Sequence, residues 1–335
     1  RCGHQGEMET GSIKAMVRVG FRRPDEKPLE LRDGPVPDVG PEDILIKVRC
    51  CGVCHTDLHI VERELADAHL PLVPGHEVVG IVEKAGARAG RFKIGQRVGA
   101  AWLRSACGKC RFCLSGRENL CESARFNGYN ADGGYAEYMV VGEKFAYAVP
   151  DRFGDEEAAP LMCAGIVGYR ALVLSEVRPG GILGLYGFGG SAHIAIQVAK
   201  HKGASVFVFT RSAKHQQLAR ELGADWVGTT EDEPPAKLTN AIIFAPAGRI
   251  YLDALRVMDR GGTVVSAGIH MSPIPEMDYD RYLYHERKML SVANATRLDG
   301  EELLKVAAEI PVPTTIQTFP LAAANEALCE LKAGR

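Results

Sequence analysis

The sequence predicts an α/β protein built in two parts, a mainly β half followed by a doubly wound parallel sheet. Two patterns and one size argument point there. From Lys14 to about Pro150, short β-rich runs such as DILIKVRCCGV and HEVVGIVEKAG are separated by glycine and proline turns. From about Asp155 onward, apolar strands alternate with amphipathic helices, as in a parallel sheet covered on both faces. At 335 residues the chain also exceeds the size at which one hydrophobic core stops growing, so two folding units are expected.

The elements of the second part follow in order. GGILGLYGFGG reads as strand then glycine turn, SAHIAIQVAKHKGA as a helix, SVFVFT as a strand and AKHQQLARELGA as a helix. AIIFAPAG, a helix around YLDALRVM, and GGTVVSAGI complete a doubly wound nucleotide-binding pattern. In the last forty residues or so, DGEELLKVAAEI and AAANEALCELKAG read as two helices separated by a proline-bearing strand.

With 46% hydrophobic and 24% charged residues the composition is that of an ordinary soluble globular protein. A formal charge of -2, without a long basic run, argues against nucleic acid and against an anionic membrane surface. No stretch approaches the roughly 18 apolar residues a membrane span needs. The start, RCGHQGEMETGSIKAM, lacks a secretory signal; Arg1 to about Gly11 reads as an extension. A cytoplasmic setting is expected, where clustered cysteines are metal ligands more often than disulfides.

CGKCRFCLSGRENLC places Cys107, Cys110, Cys113 and Cys121 where one loop can wrap a tetrahedral ion with four thiolates. Zinc suits such a closed sulfur shell, and an iron–sulfur cluster is the alternative. Four thiolates leave no open position, so this loop is read as structural.

GVCHTDLH and PGHEVVG supply Cys54 and His76, one thiolate and one imidazole of the kind that make a catalytic zinc site with an open fourth position. Cys163 in LMCAGIVGY is the candidate third ligand, although a thiol at a helix start is as often a core residue.

GVCHTDLH, PGHEVVG, CGKCRFCLSGRENLC, DGGYAEY, LMCAGIVGYRAL and GLYGFGGSAH together resemble the zinc-dependent alcohol dehydrogenases of the medium-chain dehydrogenase/reductase superfamily. The likeness runs from about Lys14 to the end. It implies a GroES-like mainly β catalytic domain over residues 12–162 with both zinc sites, and a Rossmann coenzyme domain over 163–295. A segment over 296–335 is expected to return to the catalytic domain. The resemblance assigns a catalytic zinc to Cys54, His76 and Cys163, and so two zinc ions per subunit. Asp57 would hold His76 in one tautomer. Thr56 would hydrogen-bond the substrate oxygen, His59 would carry the proton toward solvent, and Glu77 would lie close behind the metal, its bland alternative being a charged strand residue. His55 would face the cofactor pyrophosphate. Leu65, Trp102 and Val167 would border the substrate channel, Trp102 narrowing it toward primary alcohols or slim aldehydes. Gly268 and Ile269 in AGIHMSPIP would lie near the nicotinamide carboxamide.

The fingerprint GFGGSA, Gly187 to Ala192, follows a strand and opens a helix. Gly187 permits the tight turn, Gly189 and Gly190 allow the backbone to approach a pyrophosphate, and Ala192 replaces the third glycine. An NAD enzyme carries an acidic residue after the next strand; here stand Thr210, Arg211 and Ser212, with Lys214 nearby. With no carboxylate to repel a 2′-phosphate and a guanidinium to grip it, NADP(H) is expected over NAD(H). An arginine after a strand is also commonly just a solvated residue.

The expected activity is hydride transfer between an alcohol or aldehyde and this cofactor, in a homo-oligomer. Rival readings are a polyol dehydrogenase of sorbitol type, a non-catalytic zinc and nucleotide sensor, and a zinc module binding nucleic acid. Relatives usually continue past ELKAGR into a short closing strand, which is expected to follow here. Cys2, Cys50, Cys51 and Cys329 fit no ligand pattern and are read as structural or incidental.

Overall fold

The computed structural model describes residues 11–20, 22–65 and 69–334. The expected extension up to residue 10, with Cys2, lies outside them. The first half is organised by a five-stranded antiparallel sheet. Its order is Tyr138–Gly142, Asp43–Gly52, Glu77–Ala85, Arg97–Ala100, Ala146–Ala148. Ser12–Arg18 and Leu29–Pro35 pair separately as a hairpin. The sheet curls around an interior formed by Ile44, Ile46, Val78, Val82 and Val98, each wholly buried. This is the half-barrel expected of a GroES-like domain.

The second half is a six-stranded parallel sheet with the order Trp226–Gly228, Ser205–Phe209, Ile182–Tyr186, Leu238–Ile243, Met258–Ser266, Lys288–Ser291. Helices cover both faces of its central strands, where Leu183, Leu185, Val206 and Val208 are all at 0% exposure, while the edge strand Lys288–Ser291 is largely exposed. The chain steps outward from Ile182–Tyr186 in one direction, then returns to its other side with Leu238–Ile243. That reversal opens a crevice beyond the carboxyl ends of these two strands, the place where such sheets bind ligands. Gly187 sits at its mouth.

The two halves are not insulated. A single core cluster contains Val79, Tyr147 and Val149 from the β half and Leu183, Leu185 and Leu303 from the other. The helix Ala164–Ser175 lies at this junction and packs on Gly190–His201, where Gly168 keeps the axes close: a Cβ there would come within 2.9 Å of the Ser191 carbonyl. Among the described residues, no single helix is long and apolar enough to cross a membrane. The pair Asp155–Met162 and Ala164–Ser175 passes that test only together across a 41° bend, and its apolar side belongs to the shared core.

At the C-terminal end, Arg297–Glu309 and Ala324–Lys332 are helical as expected. The segment between them is not a strand. Pro311, Pro313 and Pro320 lack the N–H that a sheet ladder requires, and residues 311–320 run as irregular chain into a short turn of helix. The last helix crosses back to the β half: Leu328 packs with Leu58 and Val61, and Asn325 exchanges two hydrogen bonds with the Leu29 backbone, at 3.1 and 2.8 Å.

Candidate active site

Among the described residues, two groups of metal-ligating side chains converge, each with its donor atoms within 4.8 Å of one another. The first is Cys107, Cys110, Cys113 and Cys121. The loop closes through Gly108 and Gly116, both in the left-handed region that glycine alone adopts without strain (φ 72° and 68°). Cys110 caps the short helix Arg111–Leu114 by accepting from the Cys113 N–H at 3.5 Å, and the Cys107 N–H points at the Cys121 sulfur at 3.4 Å. Sulfur–sulfur distances of 3.5 Å (Cys110 to Cys113) and 3.9 Å (Cys107 to Cys113) are far beyond a disulfide. They approach the roughly 3.8 Å edge of a tetrahedron with metal–sulfur bonds of about 2.3 Å. Backbone N–H groups of Lys109 and Cys110 hold the Cys107 thiol down to about 6, as a thiolate ligand needs.

The second group joins distant parts of the chain. Cys54 caps the helix His55–Val61, His76 stands just before the strand Glu77–Ala85, and Cys163 begins the helix Ala164–Ser175. The Cys54 and Cys163 sulfurs are 3.8 Å apart, and Glu77 brings a carboxylate into the same cluster. Asp57 and His76 are wholly buried, with Asp57 Oδ1 3.3 Å from His76 Nδ1. The other Asp57 oxygen accepts from the Cys54 N–H (2.9 Å) and the Tyr135 hydroxyl (3.1 Å).

His76 Nε2 is buried without a hydrogen-bond partner. A buried imidazole nitrogen left unpaired beside two thiols is costly as a mere packing arrangement, and it is the donor a metal would take. Burial alone would lower the His76 pKa, but Asp57 and Cys54 raise it well above its ordinary value. Burial, then the neighbouring Cys54 charge, drives Glu77 well above the carboxylate range. Gly52, opposite Glu77 across the sheet, provides the room: a Cβ there would meet Glu77 Oε2 at 2.0 Å.

Around this cluster, Thr56 Oγ1 lies 3.7 Å from the Cys54 sulfur. His59, part-buried on the same helix, pairs through Nδ1 with Glu64, and its ring faces His270 at 6.3 Å across to the parallel-sheet half. His55 is exposed at the helix start.

At the sheet crevice, Gly187 has φ 84°, and a Cβ on it would press the Ala245 backbone at 3.0 Å. Gly189 is the N-cap of the helix Gly190–His201; a Cβ on it would project into open space over the helix N-terminus, where N–H groups await an anion. Ala192 is buried in the helix packing. After the next strand, Thr210 is buried and its carbonyl accepts from Gln216 at 2.9 Å. The Ser212 hydroxyl caps the helix Ala213–Glu221 by accepting from the His215 N–H at 3.3 Å, which leaves Arg211 and Lys214 as the exposed cations there. Gly268 and Ile269 follow the strand Met258–Ser266, with Ile269 exposed.

Comparison with known proteins agrees with this geometry. Residues 40–151 match the family model of the alcohol dehydrogenase GroES-like domain, and residues 190–309 match that of the zinc-binding dehydrogenase. The chain is 47% identical over 322 residues to “Probable alcohol dehydrogenase AdhA” of Mycobacterium tuberculosis, covering 94% of this chain and 93% of that one. The chain belongs to the zinc-dependent medium-chain alcohol dehydrogenase family. Two solved members superpose closely. One is CAD from Helicobacter pylori complexed with NADP(H) (TM-score 0.85, 25% identity, covering 96% of this chain and 95% of that one). The other is acetophenone reductase from Geotrichum candidum in complex with NAD (TM-score 0.86, 28% identity, covering 98% and 96%). As a medium-chain alcohol dehydrogenase the chain is an oxidoreductase of a class that uses zinc and a nicotinamide cofactor.

Beside Cys163 the dehydrogenase has a small pocket walled by Trp102, Met162, Ile166, Val167 and Asn294. Trp102 meets the His76 ring edge-on at 4.9 Å and stacks against Phe126 and Tyr129 at 5.3 and 5.7 Å. Trp102 and Val167 therefore stand at this wall, whereas Leu65 does not contribute to it and lies at the border of the undescribed residues 66–68. Cys50 and Cys51 sit in the strand Asp43–Gly52 and Cys329 in the last helix, and none of them belongs to either cluster; burial pushes the Cys50 thiol up to about 12.

Several groups escaped the sequence reading. Tyr135 lies inside DGGYAEY, but nothing local signals that its hydroxyl reaches Asp57. Glu64 and His270 come together with His59 only in the folded chain. Glu118 and Asn119 lie within the cysteine loop yet bond the 293–297 turn: Asn119 Nδ2 donates to the Ala293 carbonyl at 2.8 Å, and Glu118 Oε1 accepts from the Arg297 N–H at 2.9 Å.

Proposed function

We propose that the chain is a zinc-dependent alcohol dehydrogenase and aldehyde reductase that transfers hydride between a primary alcohol or slim aldehyde and NADP(H). The convergence of Cys54, His76 and Cys163, with an unpartnered buried His76 Nε2, carries this reading. These three side chains would hold the catalytic zinc, and Cys107, Cys110, Cys113 and Cys121 a structural one. Bound zinc supplies Lewis acidity, lowering the pKa of an alcohol or polarising a carbonyl. The nicotinamide supplies the hydride acceptor or donor.

The chain's own residues do the rest. Asp57 Oδ1, 3.3 Å from His76 Nδ1, places its charge behind that nitrogen and so leaves Nε2 to present its lone pair inward; Tyr135 and the Cys54 N–H fix the carboxylate that does so. Thr56 hydrogen-bonds the substrate oxygen and takes its proton, and His59, with Glu64 beside it, carries that proton toward solvent. Glu77 keeps a carboxylate behind the metal ligands. Trp102 against His76 restricts the pocket to slim chains. Gly187, Gly189, Gly190 and Ala192 seat the pyrophosphate on the helix N-terminus, with His55 facing it from the other half. Gly268 and Ile269 border the nicotinamide. Arg211 and Lys214, exposed where an NAD enzyme would place a carboxylate, favour a 2′-phosphate. The division at about residues 162 and 295, and a homo-oligomeric assembly, belong to the same reading.

The test is a panel of primary alcohols and sorbitol, each with NADP+ and NAD+, together with metal analysis. Turnover of primary alcohols with two zinc ions per subunit is expected. Preference for sorbitol would favour a polyol dehydrogenase, turnover with NAD+ alone would overturn the role of Arg211, and a single ion confined to the sulfur loop would remove the catalytic site.

A further inference from the structure

The motif GVCHTDLH stops at His59, but the turn that follows it reaches back to the His59 ring. The helix His55–Val61 ends at Glu62, after which Arg63 turns left-handed (φ 63°). The Arg63 N–H donates to the Ile60 carbonyl at 3.2 Å, and the Glu64 N–H reaches back to the His59 carbonyl at 2.8 Å. These two bonds are the Schellman ending of a helix, which brings the residue after the left-handed position against the one five places before it. An apolar pair frequently fills that contact. Here the two side chains are Glu64 and His59, and the carboxylate meets Nδ1 of the ring.

Stability does not account for the pairing. Glycine, which ordinarily takes the left-handed place, is absent, so Arg63 holds a strained backbone. Glu64 is exposed, and an exposed ion pair returns little. Glu62, two positions earlier, is engaged elsewhere, with Lys332 of the last helix. The turn therefore delivers one carboxylate to one ring nitrogen. An ionised carboxylate can only accept, so a neutral His59 carries its proton on Nδ1 and leaves Nε2 bare.

We propose that Glu64 is a positioning residue of the proton relay: its carboxylate holds the Nδ1–H of His59, so that Nε2 is the nitrogen that takes the substrate's proton. The inference rests on the dehydrogenase reading above, and assigns within it the tautomer of the relay histidine and the residue that sets it. In alcohol oxidation the proton leaves the substrate hydroxyl, passes through the Thr56 hydroxyl and bonds to Nε2. The imidazolium, still held by Glu64 through Nδ1, then gives the Nε2 proton to water at its part-exposed edge. With the other tautomer the receiving lone pair would point into the turn, away from Thr56.

The tautomer can be read directly. Holoenzyme carrying nitrogen-labelled histidine is examined by long-range nitrogen–proton correlation at a pH where the ring is neutral, with His59→Ala identifying the signal. Wild type should show His59 protonated on Nδ1. Glu64→Gln should show both tautomers, because an amide can donate or accept. Single-turnover formation of the reduced cofactor from 1-butanol should slow about fivefold in Glu64→Gln, the share of one hydrogen bond, while the alcohol KM changes less than about twofold. Glu64→Asp, which keeps the carboxylate on a shorter stem, should restore most of the rate. In a His59→Ala background, Glu64→Gln should change the rate less than about twofold.

A wild-type ring protonated on Nε2 would overturn the proposal, and that spectrum decides even if a variant does not fold. An unchanged single-turnover rate in Glu64→Gln would overturn it too. So would a slowing that persists undiminished without His59, since a merely structural turn acts on both backgrounds alike. Wild type that shows the Nδ1–H ring yet oxidises no alcohol with either cofactor would remove the dehydrogenase reading and the relay with it. Turnover with an Nε2–H ring would remove the inference alone.

Discussion

The two cysteine-bearing clusters are made of similar atoms but are built in opposite ways. Cys107, Cys110, Cys113 and Cys121 come from one loop, lie at most fourteen positions apart, and present sulfur on every side. Cys54, His76 and Cys163 come from a helix cap, the start of a strand and the start of another helix, spread across the junction of the two sheets. The loop can form its site almost by itself, whereas the second cluster exists only when the whole molecule is folded. A closed local shell suits a staple; a mixed shell assembled at a cleft leaves room for chemistry. The comparison predicts that damage to one cluster should appear chiefly in activity, and damage to the other chiefly in stability.

The largest effect is expected at the assembled cluster. Cys163→Ser or His76→Ala should lower kcat/KM by about three orders of magnitude, since several kcal/mol of charge stabilisation disappear. Metal content should drop from two ions to one per subunit while the melting temperature changes little. An active variant retaining both ions would break the comparison at its strongest point.

Next comes the loop. Cys121→Ser removes a buried sulfur of the loop, and a cost of about 3 kcal/mol in stability, at the upper end of single substitutions, is expected. At temperatures where the variant stays folded, kcat should fall less than tenfold. Because Glu118 and Asn119 tie this loop to the 293–297 turn, loosening it should show more in KM than in kcat. If kcat collapsed while folding survived, the loop would be more than a staple.

How far the sequence disclosed these two regions follows from the same difference. The four-cysteine loop was legible because all its information lies in one short stretch. The strands Ile182–Tyr186 and Ser205–Phe209 were legible because burial on both faces demands continuous apolar runs. Cys163, alone, looked like any thiol at the start of a helix; only the resemblance of several motifs together singled it out. Tyr135 and Asn294 carried no local signal, since their surroundings come from partners many positions away. The region between the last two helices reads in the sequence as a proline-bearing strand, while in the fold the missing N–H groups keep it out of any sheet.

A third, smaller effect separates geometry from ligation inside the assembled cluster. Asp57→Asn keeps the shape and loses the charge that faces His76 Nδ1. A loss of 10–100-fold in activity or zinc affinity is the usual cost of removing such a partner. Both ions should still bind at saturating zinc, which distinguishes this variant from loss of a ligand. An undiminished affinity would show that burial by Trp102 and the strand, and not Asp57, orients the imidazole.

The smallest effect lies one contact further out. Tyr135→Phe removes a hydroxyl that donates to Asp57 at 3.1 Å inside a fully enclosed site, while leaving the ring in its apolar cluster with Leu58 and Leu328. The Cys54 N–H still serves the same carboxylate oxygen at 2.9 Å, so the carboxylate is weakened and not stranded. About 1 kcal/mol is at stake, less than tenfold in kcat/KM. The double variant with Asp57→Asn should cost less than the two single changes together, because the hydroxyl matters only through the charge it steadies. Full additivity would mean that Tyr135 acts on the cluster by another route, and the chain of support from phenol to carboxylate to imidazole would have to be redrawn.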